Sequence, residues 1–96
     1  MKLISVKKSD RPAKKKQAIF EDKDGKQKIV HFGATGYTDF TLGATQEQKK
    51  RYQQRHVSGK DAPADSPNAL SYHILWGPSR SIRENIKSFR AKYKLD

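Results

Sequence analysis

The sequence predicts an α+β fold in which a small antiparallel sheet of two or three N-terminal strands packs with three C-terminal helices. Three observations carry that prediction. Two alternating apolar segments flank an Asp24-Gly25 pair, the signature of a tight hairpin. Glycine and aromatic residues interleave between positions 33 and 43. Beyond Thr45 the apolar spacing changes to that of helices, and Ser or Thr stands at capping positions.

The apolar, partly β-branched stretch Leu3 to Val6 predicts a first strand, ended by Ser9-Asp10-Arg11-Pro12. Gln17 to Phe20 and Lys28 to Phe32 form the hairpin around Asp22-Lys23-Asp24-Gly25, where glycine tolerates the positive φ a tight turn needs. Alternation places Ala18 and Phe20 on one face, Val30 and Phe32 on one face of the partner strand, and leaves Lys26 and Lys28 leaning outward at the edge. From Gly33 to Gly43 an ordered loop is expected, pinned to the core by Tyr37, Phe40 and Leu42.

Thr45 and Gln48 fit a capping box for a helix running through Val57, to which Tyr52 and Val57 contribute the apolar area. The stretch from Gly59 to Asp65 reads as a loop with a tip tolerant of disorder. Ser66 then caps a short helix with Pro67 at its first position, buried through Leu70, Ile74 and Trp76 and stopped by Gly77-Pro78. A last helix starts at a second capping box, Ser81 with Glu84, and carries Ile82, Ile86, Phe89 and Tyr93 at spacings of four, three and four. The chain is read as a single small basic domain over 1–96, with strands and hairpin at 1–33, the Gly/aromatic loop at 34–44 and a helical part at 45–95.

Charge dominates the composition. Lys and Arg number 21 against 10 Asp and Glu, a formal charge of +11, which self-repulsion makes unfavourable unless an anionic partner offsets it. No cysteine is present, so no disulfide framework or thiolate metal site supports the fold. The apolar runs are far shorter than the roughly 20 residues of a membrane-spanning helix, and the basic start lacks the apolar core of a secretion signal. Neither a membrane location nor secretion is expected.

The cations cluster. Lys7, Lys8, Arg11, Lys14, Lys15 and Lys16 crowd the end of the first strand and the loop before the hairpin. Arg83, Lys87, Arg90 and Lys94 form a stripe on the last helix beside its apolar face, and Lys49 and Arg55 stand on the first helix. These residues are the candidate nucleic-acid contacts, because each phosphate neutralised by a cation releases counterions. The competing reading of one such stripe is a solvated face; three clusters in one small domain favour binding. Phe32, Tyr37 and Phe40 offer rings on which bases can stack, but a chain this short needs its large apolar groups for the core, and the core reading is preferred.

Catalysis finds little support. Gly33-Ala34-Thr35-Gly36 follows a strand, unlike a nucleic-acid-clamping GxxG loop, and a phosphate-cradling nucleotide motif is absent. His31, His56 and His73 have no paired spacing, so they read as packing or surface residues rather than metal ligands. Asp10 with Glu21-Asp22-Lys23 faintly resembles the acidic pattern of metal-dependent nucleases but falls at a hairpin turn. The expectation is a protein that is not an enzyme and uses no cofactor and no metal.

The run His31-Phe32-Gly33-Ala34-Thr35-Gly36-Tyr37-Thr38-Asp39-Phe40-Thr41 resembles a family of small uncharacterised basic proteins encoded by large nucleocytoplasmic DNA viruses of algae and protists and by some marine viruses. The likeness continues through Lys50-Arg51-Tyr52-Gln53-Gln54-Arg55-His56, Ala69-Leu70-Ser71-Tyr72-His73-Ile74-Leu75-Trp76-Gly77 and the run from Ser81 to Phe89, covering roughly residues 26 to 95. Between Val57 and Pro67 the sequence departs from that family. The resemblance implies a viral origin and no assigned activity. Weighed with the charge, it leads to a non-catalytic viral nucleic-acid-binding protein that contacts the phosphate backbone, DNA favoured, in genome packaging or condensation. The alternative is a minor capsid or virion assembly protein that binds acidic surfaces of viral structural proteins; a metal-dependent nuclease is a distant third. Either leading reading locates the protein in the virion or the infected host cell, in nucleus or cytoplasm.

Overall fold

The computed structural model describes residues 1–96 and has the α+β arrangement expected. Strands β1 (Lys2–Lys8), β2 (Lys14–Glu21) and β3 (Gln27–Ala34) form an antiparallel sheet in that order, with β2 central. Three helices follow: α1 (Gln46–Arg55), α2 (Pro67–Leu70) and α3 (Ile82–Tyr93). No helix is long and apolar enough to cross a membrane.

The hairpin forms where Asp22, Asp24 and Gly25 dictate it. Gly25 has φ +81°, and the Asp22 carboxylate accepts the backbone N–H groups of Asp24 and Lys26 at 2.9 and 3.0 Å. The register opposes Ala18 to Val30 and Lys16 to Phe32, so alternate residues of both strands share the covered face. Lys28 opposes Phe20 on that same face, at the end of the helical cover, and its Nζ lies 3.1 Å from the Asp65 carboxylate. On the other side of β2 the register shifts between Leu3 and Ser5, a bulge that leaves Ile4 44% exposed while Leu3 and Val6 both face the helices.

Leu3, Phe20, Phe32, Leu70, Ile74 and Phe89 fill the space between sheet and helices. Burying a side chain of this size contributes about 1.5–3 kcal/mol. Helix α2 supplies Ala69 and Leu70, then widens into a π-helical turn over Ser71–Leu75, where the Trp76 N–H reaches the Ser71 carbonyl at 3.1 Å. As the sequence suggests, this segment is deeply buried. Helix α3 buries Phe89, with Ile82, Ile86 and Tyr93 packed against the core.

Four details differ from the sequence expectation. Helix α1 stops at Arg55, and Val57 is 64% exposed, because the chain turns there into a tighter helical turn over Val57–Lys60. The 59–65 stretch is packed: Ala64 joins the core, the Tyr93 hydroxyl donates to the Ala62 carbonyl at 2.7 Å, and a Cβ on Gly59 would lie 2.9 Å from the Asn68 carbonyl. Of the rings expected in the core, Phe32 and Phe40 are buried but Tyr37 is 74% exposed, and Leu42 is 66% exposed. The last helix is capped from one side, the Ser81 hydroxyl accepting the Glu84 N–H at 3.2 Å; the Thr45–Gln48 box is complete in both directions.

Candidate nucleic-acid interface

The structure sorts the candidate cations into held and free. Lys15 is held: its Nζ lies 2.7 Å from the Asp39 carboxylate, which is itself buried and also accepts the backbone N–H groups of Thr41 and Leu42. A buried carboxylate without such a partner is strongly unfavourable, so this lysine holds the 39–44 turn in place. Lys49 is held as well. Its ammonium donates to the Gly77 carbonyl at 2.9 Å and stands 4.2 Å above the Phe40 ring, whose centroid is also 4.2 Å from the Arg80 guanidinium. Burial, and then the neighbouring Arg80 charge, push the Lys49 pKa below the ordinary lysine value. Arg90 donates from Nη2 to the Leu3 carbonyl at 2.8 Å, joining α3 to β1, while its Nε is buried without a partner. These three therefore make contacts that serve the fold.

Lys7, Lys8, Arg11, Lys14, Arg55, Arg83, Lys87 and Lys94 are exposed, and Lys16 is half-buried. Among all the candidates Lys15 alone pairs with a carboxylate. Lys8 and Lys16 stand directly opposite each other on one face of the β1–β2 pair, a like-charge arrangement that is destabilising on its own. Arg83 and Lys87 line a shallow hollow with Val6 of β1 and Ile82 and Ile86 of α3, so the helical stripe borders the strand that leads into the loop cluster.

A second region, only partly anticipated, shares no lining residue with that hollow. A groove of about 740 Å³ runs between α1, the β2 and β3 ends and the α2 segment. Tyr52 of α1 stacks on Trp76 with ring centres 4.4 Å apart and planes 8° from parallel, and on its other side His56 stacks at 4.3 Å. That stack anchors α1, whose residues are otherwise unburied, helped by Gln53 donating to the Trp76 carbonyl at 3.3 Å. Burial raises the Tyr52 hydroxyl pKa. Lys14, Arg51 and Arg55 border the groove, Tyr37 projects at its mouth, and no Asp or Glu lines it. Gly33, at φ +78°, shapes the floor: a Cβ there would come within 2.7 Å of Leu75 Cδ1. Sequence reasoning omitted Arg51 and treated Trp76 only as a core residue; the (i, i+4) spacing of Arg51 and Arg55, with Tyr52 and His56 alongside, was the available signal.

The acidic and histidine residues do not assemble. His31 Nδ1 pairs with the Ser9 hydroxyl at 2.7 Å, His73 Nε2 donates to the Lys60 carbonyl at 2.8 Å, and His56 is in the stack. Asp10 sits 4.0 Å from His31, which opposes Gln17, whereas Glu21 lies at the far end of β2. No three His, Asp or Glu side chains gather as a metal-binding group.

The molecule is thus a small α+β domain with a cationic strand and helix and an acid-free aromatic groove. A family of unknown function (DUF5754) matches residues 4–56, and the chain belongs to it. The matched region begins well before residue 26, where the sequence likeness was drawn, and takes in most of β1. "Uncharacterized protein L851" of Acanthamoeba polyphaga mimivirus is 34% identical over 80 residues, which span 76% of this chain and 80% of that protein. The likeness to uncharacterised viral proteins is therefore supported by an actual viral relative. No solved structure matches the chain.

Proposed function

We propose that the protein is a non-catalytic, virus-encoded nucleic-acid-binding protein that contacts the phosphate backbone, DNA favoured, in genome packaging or condensation. The observation that carries this reading is the set of cations without carboxylate partners, above all the exposed Lys8 opposite the half-buried Lys16 and the Arg83–Lys87 stripe beside β1. Like charges held this close gain most from a polyanion, whose phosphates replace repulsion with attraction and release counterions. Fractionation of virions into shell and nucleoprotein core tests the reading: the protein is expected with the genome, and its release by nuclease treatment would accompany loss of the core. Added magnesium or manganese is expected to cause no cleavage of DNA or RNA; nicking abolished by Glu21→Gln would reverse the non-catalytic reading.

A second reading, a minor capsid or assembly protein, draws on the less covered face of the sheet, where Ile29 is 54% exposed opposite Ile19. Copurification with shell proteins after the genome is removed would favour it.

A further inference from the structure

We propose that the groove between α1 and the ends of β2 and β3 seats unpaired bases of single-stranded nucleic acid, with Tyr37 as the stacking ring and Lys14, Arg51 and Arg55 as phosphate contacts. The proposal rests on the nucleic-acid reading above and adds to it a second, chemically different surface.

Four features of the groove point the same way. First, Tyr37 is 74% exposed whereas every other Phe, Tyr and Trp is buried or half-buried, and it stacks on no other aromatic side chain. A free, flat ring at the mouth of a cleft is what a base needs on one face. Second, the cleft behind it is walled by aromatic rings already held rigid by the Tyr52–Trp76 stack, so little side-chain freedom is lost on binding. Third, cations border it from two separate elements, Lys14 from β2 and Arg51 and Arg55 one helical turn apart on α1, and no carboxylate lines it. Arg51 has one carboxylate nearby, Glu47 at 3.8 Å, an exposed contact between flexible side chains that a phosphate readily displaces. Fourth, its volume of about 740 Å³ falls within the roughly 300–1,000 Å³ range of small-ligand clefts, and Asn68 and Ser71 add neutral polar residues to its lining.

Duplex DNA keeps its bases stacked inside and presents no face to Tyr37, so the occupant must have unpaired bases. The phosphates of such a strand then pass the Lys14 and Arg55 rims. The α3 stripe and the β1 cations remain available to a duplex, and the two surfaces answer to different probes.

Trp76 is the only tryptophan of the chain and lines the groove, so its fluorescence reports occupancy. The probes are a thymidine oligonucleotide, an abasic oligonucleotide with the same number of phosphates, and a fully paired duplex. The thymidine strand is expected to bind more tightly than the abasic strand and to quench Trp76. Tyr37→Ala is expected to weaken thymidine binding roughly tenfold, Tyr37→Phe to restore it, and both to leave abasic and duplex binding unchanged. Arg55→Gln is expected to flatten the salt dependence of thymidine binding by about 0.7 in slope. Because Tyr37 lies outside the core, circular dichroism of the variants should match the parent. Equal affinity for thymidine and abasic strands, or unchanged thymidine binding in Tyr37→Ala, overturns the groove proposal while duplex binding leaves the wider reading standing. No binding to any of the three probes overturns both.

Discussion

Replacing Arg83, Lys87 and Lys94 together by glutamine isolates the contribution of α3 to nucleic-acid binding. All three are exposed and without carboxylate partners, whereas Arg90 on the same stripe is tied to the Leu3 carbonyl and should be left intact. If each free cation neutralises one phosphate of duplex DNA, the three contribute a slope of log affinity against log salt of about −2.7. Between about 50 and 200 mM salt that difference amounts to a roughly 40-fold steeper loss of affinity for the parent than for the triple variant. Fluorescence anisotropy with a labelled duplex, titrated at several salt concentrations, measures both slopes. The loss should be similar on unrelated DNA sequences, because backbone contacts carry no base information. The apolar residues of α3 are untouched, so thermal melting should stay close to that of the parent. A folded triple variant with an unchanged slope would refute the reasoning and reduce the stripe to a solvated face.

Three further outcomes concern the fold. Phe89→Ala should cost about 3–5 kcal/mol, since the ring is only 1% exposed in the central cluster, and should lower the melting temperature by more than about 10 °C; a melting curve within a degree or two of the parent would contradict the packing described. Lys94 ends α3 at φ +54°, a left-handed conformation that suits glycine, so Lys94→Gly should stabilise the protein by about 0.5–1 kcal/mol in thermal or chemical unfolding. His73 has its pKa lowered, chiefly by burial, so the unfolded chain binds the proton more readily than the folded one. Its contribution to stability is therefore complete above its unfolded pKa of 6.5 and is lost as pH falls from there through the lowered folded-state value. The rise in melting temperature from about pH 5.5 to 7.5 should be shallower in His73→Gln than in the parent.

The elements were legible in the sequence where one local rule decided them. The Asp24-Gly25 turn fixes the hairpin, Ser66 and Pro67 start α2, and the stripe of Ile82, Ile86, Phe89 and Tyr93 defines the buried face of α3. Features set by distant partners were not. Asn85 is fully buried, yet nothing local distinguishes it from a solvent-facing residue of α3; its side chain accepts the Ser79 N–H and donates to the Ile74 and Ser79 carbonyls, bonds that exist only once α3 docks beside the 77–80 turn. Gly77 belongs to the same junction, where a Cβ would collide with the His73 carbonyl, and the sequence announces it only as a helix stop. The same limit explains the cations. A sequence shows that Lys15, Lys49 and Arg90 are charged, but not that Asp39, Gly77 and Leu3 wait for them across the fold. The groove was illegible because its rims come from residues 14, 37, 51–56 and 68–76, brought together only by folding.

The central claim, attraction to a phosphate backbone, is tested most directly by the affinity of the unaltered protein for two unrelated duplex DNA sequences over a range of salt. The account predicts nearly equal affinities for the two and a steep linear fall of log affinity with log salt. Absence of binding at low salt, or affinity that does not change with salt, would contradict it.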